Sequence, residues 1–270
     1  MSFTDQVVII TGASSGIGRE IARVFSREGA VVVLAARSVR ALEELAQELR
    51  AQSGRVLTVP TDVSHVDQLQ RLVHVTLQVF GRIDVLVNNA GQGLALWAHE
   101  LTPEQIEGLF RVNTLSAINL TRLVLPGMMA RRQGMIINVS SVAGKVGVPS
   151  DTVYAATKFA LNGFGQGLRA EVAGYNIKVL TVCPFFTSGT GFGQNVPGHA
   201  QPPRNPLRRM SARQVAEQTV AAAAAGQHEL ILGRPARAGV FLNNVAPGLV
   251  DWALARVAGV MRRVGVGAGQ

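Results

Sequence analysis

The chain of 270 residues contains one cysteine, Cys183. No disulfide can form within it, which suits a reducing compartment such as the cytoplasm. Cys183 lies in the apolar run VLTVCP, where a thiol acts as a small buried hydrophobe. Histidines number five and are scattered, and no pair has the spacing of metal ligands, so no metal site is expected. Aromatic residues make up only 5% of the chain, so the core must be built from Val, Leu, Ala and Ile. No run approaches the roughly 20 apolar residues that span a bilayer. The N-terminus reads as a polar stretch leading into a strand, without a signal peptide. Acids are scarce: 17 against 26 basic residues, a formal charge of +9. Because the bases are spread along the chain, they make no nucleic-acid stripe. The excess reads mainly as a solvated, arginine-biased surface, and it could also favour an anionic cofactor or substrate.

Short apolar runs alternate with amphipathic stretches. The segments 7–10, 30–36, 56–59, 83–88, 135–140, 177–182 and 229–232 read as strands, apolar almost throughout, as strands covered on both faces are. Helical periodicity fills 17–28, 38–52, 65–79, 103–131, 154–173 and 211–225. Alternating βα units predict a doubly wound parallel sheet in one domain. The stretch 184–210, rich in Gly, Pro, Gln and Asn, is long enough to be a lid. The tail, 233–270, carries five arginines against one acid, Asp251. A helix is expected after Pro247. Its expected roles are packing on its own domain or a subunit contact, with a membrane-surface role less favoured.

TGASSGIG (11–18) follows the first strand and opens the first helix. Its glycines, Gly12, Gly16 and Gly18, let a backbone turn tightly and approach a pyrophosphate at a helix N-terminus. Where the second strand ends, an acid would accept the ribose diol of NAD. The sequence there is Ala35-Ala36-Arg37-Ser38, and a guanidinium suits the 2′-phosphate of NADP. Further on, VYAATK places Tyr154 one helical turn before Lys158. An ammonium beside a phenol is expected to lower the phenol's pKa toward the working range. Ser140 and Ser141 follow the fifth long strand, at the end where ligands bind in such sheets.

With TGASSGIG, Asp62-Val63, NNAG (88–91), Asn113, Ser141 and YAATK in this order, the chain resembles the short-chain dehydrogenase/reductase family over about residues 5–232. The resemblance implies a Rossmann fold with seven parallel strands flanked by helices, and hydride transfer between NADP(H) and a carbonyl or alcohol. It implies Tyr154 as general acid/base and Ser141, rather than Ser140, as the group polarising the substrate oxygen. Lys158 would hold the nicotinamide ribose, and Asn113 a water behind the lysine. Ser14, Ser15 and Ile17 would join the glycines at the pyrophosphate. Asp62 and Val63 would meet the adenine, with Asn88, Ala90 and Gly91 forming the cofactor wall. Pro184 and Thr187 would lie at the nicotinamide, with Thr190 as alternative to Thr187.

The sequence departs from the family at Phe185, where a glycine usually follows the proline. Phe185 and Phe186 read as an apolar wall of the substrate pocket or as two core aromatics. With Phe192 they suggest a hydrophobic ketone or aldehyde. A 3-oxoacyl thioester is the rival substrate, with Arg122, Arg131, Arg132 and Arg169 as candidates for a carrier path. A non-catalytic NADP-binding sensor or scaffold is a reading of another class. The resemblance also implies a homo-oligomer, dimer or tetramer, joined through the 103–131 and 154–173 helices.

Overall fold

The structure is a computed structural model, and it describes residues 2–189 and 210–263. Seven strands form one parallel sheet in the order β3-β2-β1-β4-β5-β6-β9. They are β1 (Val7–Thr11), β2 (Val31–Ala36), β3 (Arg55–Pro60), β4 (Val85–Asn88), β5 (Gly134–Val139), β6 (Ile177–Cys183) and β9 (Glu229–Ile231). Every residue of β1, β2 and β4 is buried, as their unbroken apolar runs require. A second, two-stranded pairing joins β7 (Thr187–Ser188) to β8 (Met210–Ser211).

Helices cover both faces. On one lie α1 (Gly16–Arg27), α2 (Val39–Ala51) and α7 (Ala212–Ala224); on the other lie α3 (Val66–Phe80), α5 (Ser116–Arg131) and α6 (Thr152–Glu171). The first face holds Ile21, Leu42, Leu45 and Val215, with Phe3 edge-on to Phe25 at 4.9 Å. The second holds Leu69, Leu72, Leu120 and Leu168. Burying each such leucine contributes about 1.5–3 kcal/mol. Local chemistry sets the helix starts. The Ser38 hydroxyl accepts from the Ala41 N–H, and Ser211 and Gln214 form a reciprocal capping box on α7. Helix α3 stops at Gly81, whose φ of 72° ends it in the left-handed region.

Two elements differ from the sequence expectation. The continuous helix expected over 103–131 is broken: α4 (Pro103–Phe110) and α5 are joined by a wide π-helical turn at Arg111–Leu115. Asn113 lies in that turn, and its side chain is bonded to the backbone of Gln92. The Thr114 hydroxyl also donates to the carbonyl of Thr157 on α6, so tertiary bonds outcompete regular helix geometry here. In the tail, the helix after Pro247 is present as α9 (Pro247–Arg263), and a further helix, α8 (Arg234–Val245), precedes it. No residue of α9 is fully buried, and Val250, Leu254, Ala258 and Met261 along it are half-buried.

The sheet order reverses between β1 and β4, with β2 and β3 to one side and β5, β6 and β9 to the other. Chain segments leaving the strand ends at this switch point diverge and leave a crevice. Among the described residues no helix is long and apolar enough to cross a membrane.

Candidate active site

The crevice begins at the glycine turn. Gly12 and Gly16 have φ of 66° and 54°, conformations that favour glycine. A Cβ on Gly18 would lie 2.4 Å from the Gly12 carbonyl oxygen and 2.4 Å from Asn89 Nδ2, so only glycine fits. Asn89 clamps the turn, donating to the carbonyl of Thr11 at 2.9 Å. The Thr11 hydroxyl in turn accepts the N–H groups of Asn89 and Ala90. Sequence reasoning passed over Asn89; its signal was its place inside NNAG. Asn88 is turned into the interior, donating to Asn138 Oδ1 at 2.9 Å and Thr121 Oγ1 at 3.2 Å. Helix α1 begins on this turn with no side-chain cap at Ser15 and no acid in its first turn. Its leading N–H groups therefore suit an anion. The turn, the bare helix start and the close backbone approach fit a dinucleotide pyrophosphate.

Arg37 leaves the end of β2 and, with Asp62, Asp67, Gln68 and Arg71, lines an open cleft of about 580 Å³. Arg71 was not singled out from the sequence, because it lies on α3 outside every motif named above. Burial pushes the Asp62 carboxyl up, but the hydroxyl and N–H of Ser64, with Arg37 and His65 nearby, hold it below the usual range. Val63 is buried beside it.

The reactive cluster forms where β5 and β6 end. The strands stay joined past their ends, as Ser140 N–H donates to Val182 O and Val142 N–H to Pro184 O. That fixes the two serines in opposite roles. The Ser140 hydroxyl is buried and directed at the Lys158 carbonyl, 3.3 Å away. Ser141 accepts the Ala143 N–H at 3.1 Å, and its hydroxyl hydrogen-bonds that of Tyr154. Lys158, on the same face of α6, lies with Nζ 5.9 Å from the Tyr154 ring centre. Gly91 keeps space open beside Lys158 Nζ and Asn113 Oδ1, 3.6 and 3.3 Å from where its Cβ would stand. Asn113 is buried, its amide shared between Gln92 N–H, Gln92 O and the Thr157 hydroxyl.

The expectation of a lowered tyrosine pKa is overturned for the protein by itself. Burial pushes the Tyr154 phenol above its ordinary value, more than the Ser141 hydrogen bond lowers it. Burial also weakens the ammonium of Lys158, bringing it down to about 8. Tyr154 is thus held protonated in the protein by itself. Cys183 beneath the cluster is buried and pushed up to about 12, which makes it unreactive.

Phe185 and Phe186 meet edge-to-face at 4.6 Å. Phe186 is 47% exposed, so it is not a core aromatic. Thr187 donates to the Phe185 carbonyl at 3.0 Å. Thr190, Phe192 and most of the expected lid lie outside the described residues. Three of the four carrier-path arginines point away from the crevice. Arg131 donates to Ile83 O, Arg132 to Gly174 O and Arg169 to His228 O. Those carbonyls precede β4, β6 and β9, at the edge of the sheet opposite the crevice, because these arginines are on the late turns of α5 and α6.

The sequence family described as short chain dehydrogenase matches residues 6–200. The ketoacyl reductase HetN of Nostoc sp. (strain PCC 7120) is 38% identical over 190 residues, covering 70% of this chain and 66% of that protein. The chain thus spans about two thirds of that relative. The dehydrogenase/reductase SDR family member 7B of Bos taurus is 36% identical over 261 residues, covering 90% and 78%. Among solved structures, a short chain dehydrogenase/reductase from Burkholderia phymatum in complex with NAD superposes with a TM-score of 0.84 at 29% identity, covering 92% and 96%. A metagenomic short-chain oxidoreductase in complex with NADP gives 0.73 at 32% identity, covering 86% and 98%.

Proposed function

The chain belongs to the short-chain dehydrogenase family, an oxidoreductase family, and from that premise we propose that it is an NADP(H)-dependent reductase of hydrophobic ketones or aldehydes. The observation that carries the proposal is the hydroxyl pair of Ser141 and Tyr154, set beside the buried Lys158. When bound, the nicotinamide cofactor would supply the hydride that the carbonyl carbon receives. The protein does the rest. Tyr154 gives its phenolic proton to the carbonyl oxygen as charge builds there, and the raised pKa keeps that proton in place until then. Ser141 hydrogen-bonds the same oxygen and holds the carbonyl to the phenol.

Lys158 binds the nicotinamide ribose hydroxyls. Asn113 positions the segment at Gln92 against α6, and the water of a proton relay would sit at its remaining lone pair. Gly12, Ser14, Ser15, Gly16, Ile17 and Gly18 hold the pyrophosphate. Asp62 and Val63 hold the adenine, Ala90 and Gly91 the wall beside it, and Pro184 and Thr187 the carboxamide end. Asn88 supports that wall from within.

Preference for NADP rests on Arg37, reinforced by Arg71 across the same cleft. The half-exposed Phe186 beside Phe185 supports an apolar substrate. A 3-oxoacyl thioester is favoured by the ketoacyl reductase relative, but not by Arg131, Arg132 or Arg169, which face the other edge. A non-catalytic NADP sensor sits poorly with the intact Ser141, Tyr154 and Lys158. Exposed Leu115 and Phe159 on the α5 and α6 side support a homo-oligomer. The lone buried Cys183 suits a cytoplasmic setting.

Nicotinamide absorbance tests the reading directly. NADPH consumption with an apolar ketone or aldehyde, and little with NADH, is the expected result. Consumption with NADH alone would remove the role given to Arg37.

A further inference from the structure

We propose that the α8–α9 hairpin is a docking surface for an anionic lipid bilayer. Helix α9 is apolar on two sides. Val250, Leu254 and Met261 are half-buried toward the rest of the protein. Leu249, Trp252, Val257 and Val260 face outward, 54%, 55%, 48% and 59% exposed. Spacings of three, five and three residues put these side chains on one broad face. Phe241 and Val245, one turn apart on α8, are also exposed, at 67% and 61%. A soluble helix normally turns such residues inward, so this face is built to be covered.

Charge decides what covers it. Between Arg234 and Arg263 the hairpin has five arginines and one acid, Asp251. Two of the arginines share the exposed face: Arg256 and Arg263 continue the spacing of Leu249, Trp252 and Val260. Arg256 lies over the Trp252 ring at 4.0 Å. Apolar side chains, an interfacial tryptophan and cations on one helix match an acyl boundary beneath anionic headgroups. A second copy is disfavoured by the same residues. Arg256 is the midpoint of 249–263, so antiparallel two-fold pairing would set it against itself.

The hairpin also touches the loops that carry the reactive cluster. Asn243 approaches the Lys145 carbonyl at 3.4 Å, just after the Ser141 turn. The Arg262 guanidinium lies 4.8 Å from the Trp97 ring centre, in the loop after β4. Gly233 packs near Phe185 after β6. A bilayer on the hairpin would therefore lie beside the crevice, where an apolar substrate could pass between lipid and site.

The test is sedimentation of the full chain with vesicles of phosphatidylcholine containing phosphatidylglycerol, beside vesicles of phosphatidylcholine alone. It needs no turnover, so it is independent of the activity proposed above. The chain should sediment with the anionic vesicles and be released by salt. Trp252→Glu with Val260→Glu changes only exposed positions and should lower partitioning about tenfold or more. Arg256→Gln with Arg263→Gln should cost about fivefold per arginine on anionic vesicles. The proposal falls if the chain stays in the supernatant with both vesicle types. It falls equally if Trp252→Glu with Val260→Glu sediments as the parent does. A parent dimer in light scattering that this variant splits, without vesicle binding, would assign the face to a second copy instead.

Discussion

The ammonium of Lys158 donates to the carbonyl of Val139 at 3.0 Å, joining the middle of α6 to the last residue of β5. The lysine is 3% exposed, and this desolvation holds its pKa at about 8. Below pH 8 the ammonium is intact in the folded protein. As pH rises through 8 the folded chain loses a proton that the unfolded chain keeps until its ordinary pKa of 10.5. Stability is therefore lowest, as far as this group is concerned, below pH 8, and it recovers between pH 8 and 10.5. Function runs the other way. Cofactor affinity that depends on the cation should fall above about pH 8, and fluorescence titration of NADPH across pH checks this. A flat profile from about pH 6.5 to 9.5, a range taken about 1.5 units either side of the shifted pKa, would contradict the assignment.

Tyr154→Phe removes one oxygen and leaves the ring. Turnover should drop by about 10²–10⁴-fold, the usual worth of a positioned acid. NADPH affinity should hardly change. Steady-state kinetics paired with a binding titration separates the two effects, and a variant that still turns over would refute the role of Tyr154.

Arg37→Asp exchanges a cation for an acid at the end of β2. Loss of charged hydrogen bonds to a phosphate should weaken NADPH binding by about 10–100-fold. NADH, which lacks the 2′-phosphate, should bind as well as before or better. Equal losses for both cofactors would remove Arg37 from the cofactor site.

Gly18→Ala should destabilise the fold. The new methyl would press on the backbone carbonyl of Gly12 at 2.4 Å, which cannot swing aside. The cost is about 1–3 kcal/mol, with cofactor affinity falling alongside. Thermal denaturation with and without NADPH reads both effects.

Asn89→Ala removes the amide that holds the carbonyl of Thr11. A loss of about 1–3 kcal/mol is expected, with looser cofactor binding, while Asn89→Gln should rescue little because its longer side chain misplaces the donor. A denaturant melt beside an NADPH titration measures this. Unchanged stability would show that the turn holds without its clamp.

The sequence by itself determined the strands and their packing. Runs such as VVII and VVVLAA have no polar face, so they had to be covered on both sides, and β1 and β2 are. It also determined the glycine turn, because the required backbone approach admits no side chain. The order of Tyr154 and Lys158 on one helix face follows from the helical repeat alone. Tertiary structure decided what depends on neighbours distant in the chain. Ser140 and Ser141 are chemically alike, and only the register of β5 against β6 and α6 turned one inward and the other to Tyr154. The break at Asn113 arises from bonds to Gln92 and Thr157, which no local propensity encodes. The direction of the tyrosine's pKa was misjudged from sequence because adjacency to a cation was visible and burial was not. The outward face of α9 was hidden for the same reason: helical spacing alone left packing, subunit contact and surface roles open, and only the fold showed which side chains stay in solvent.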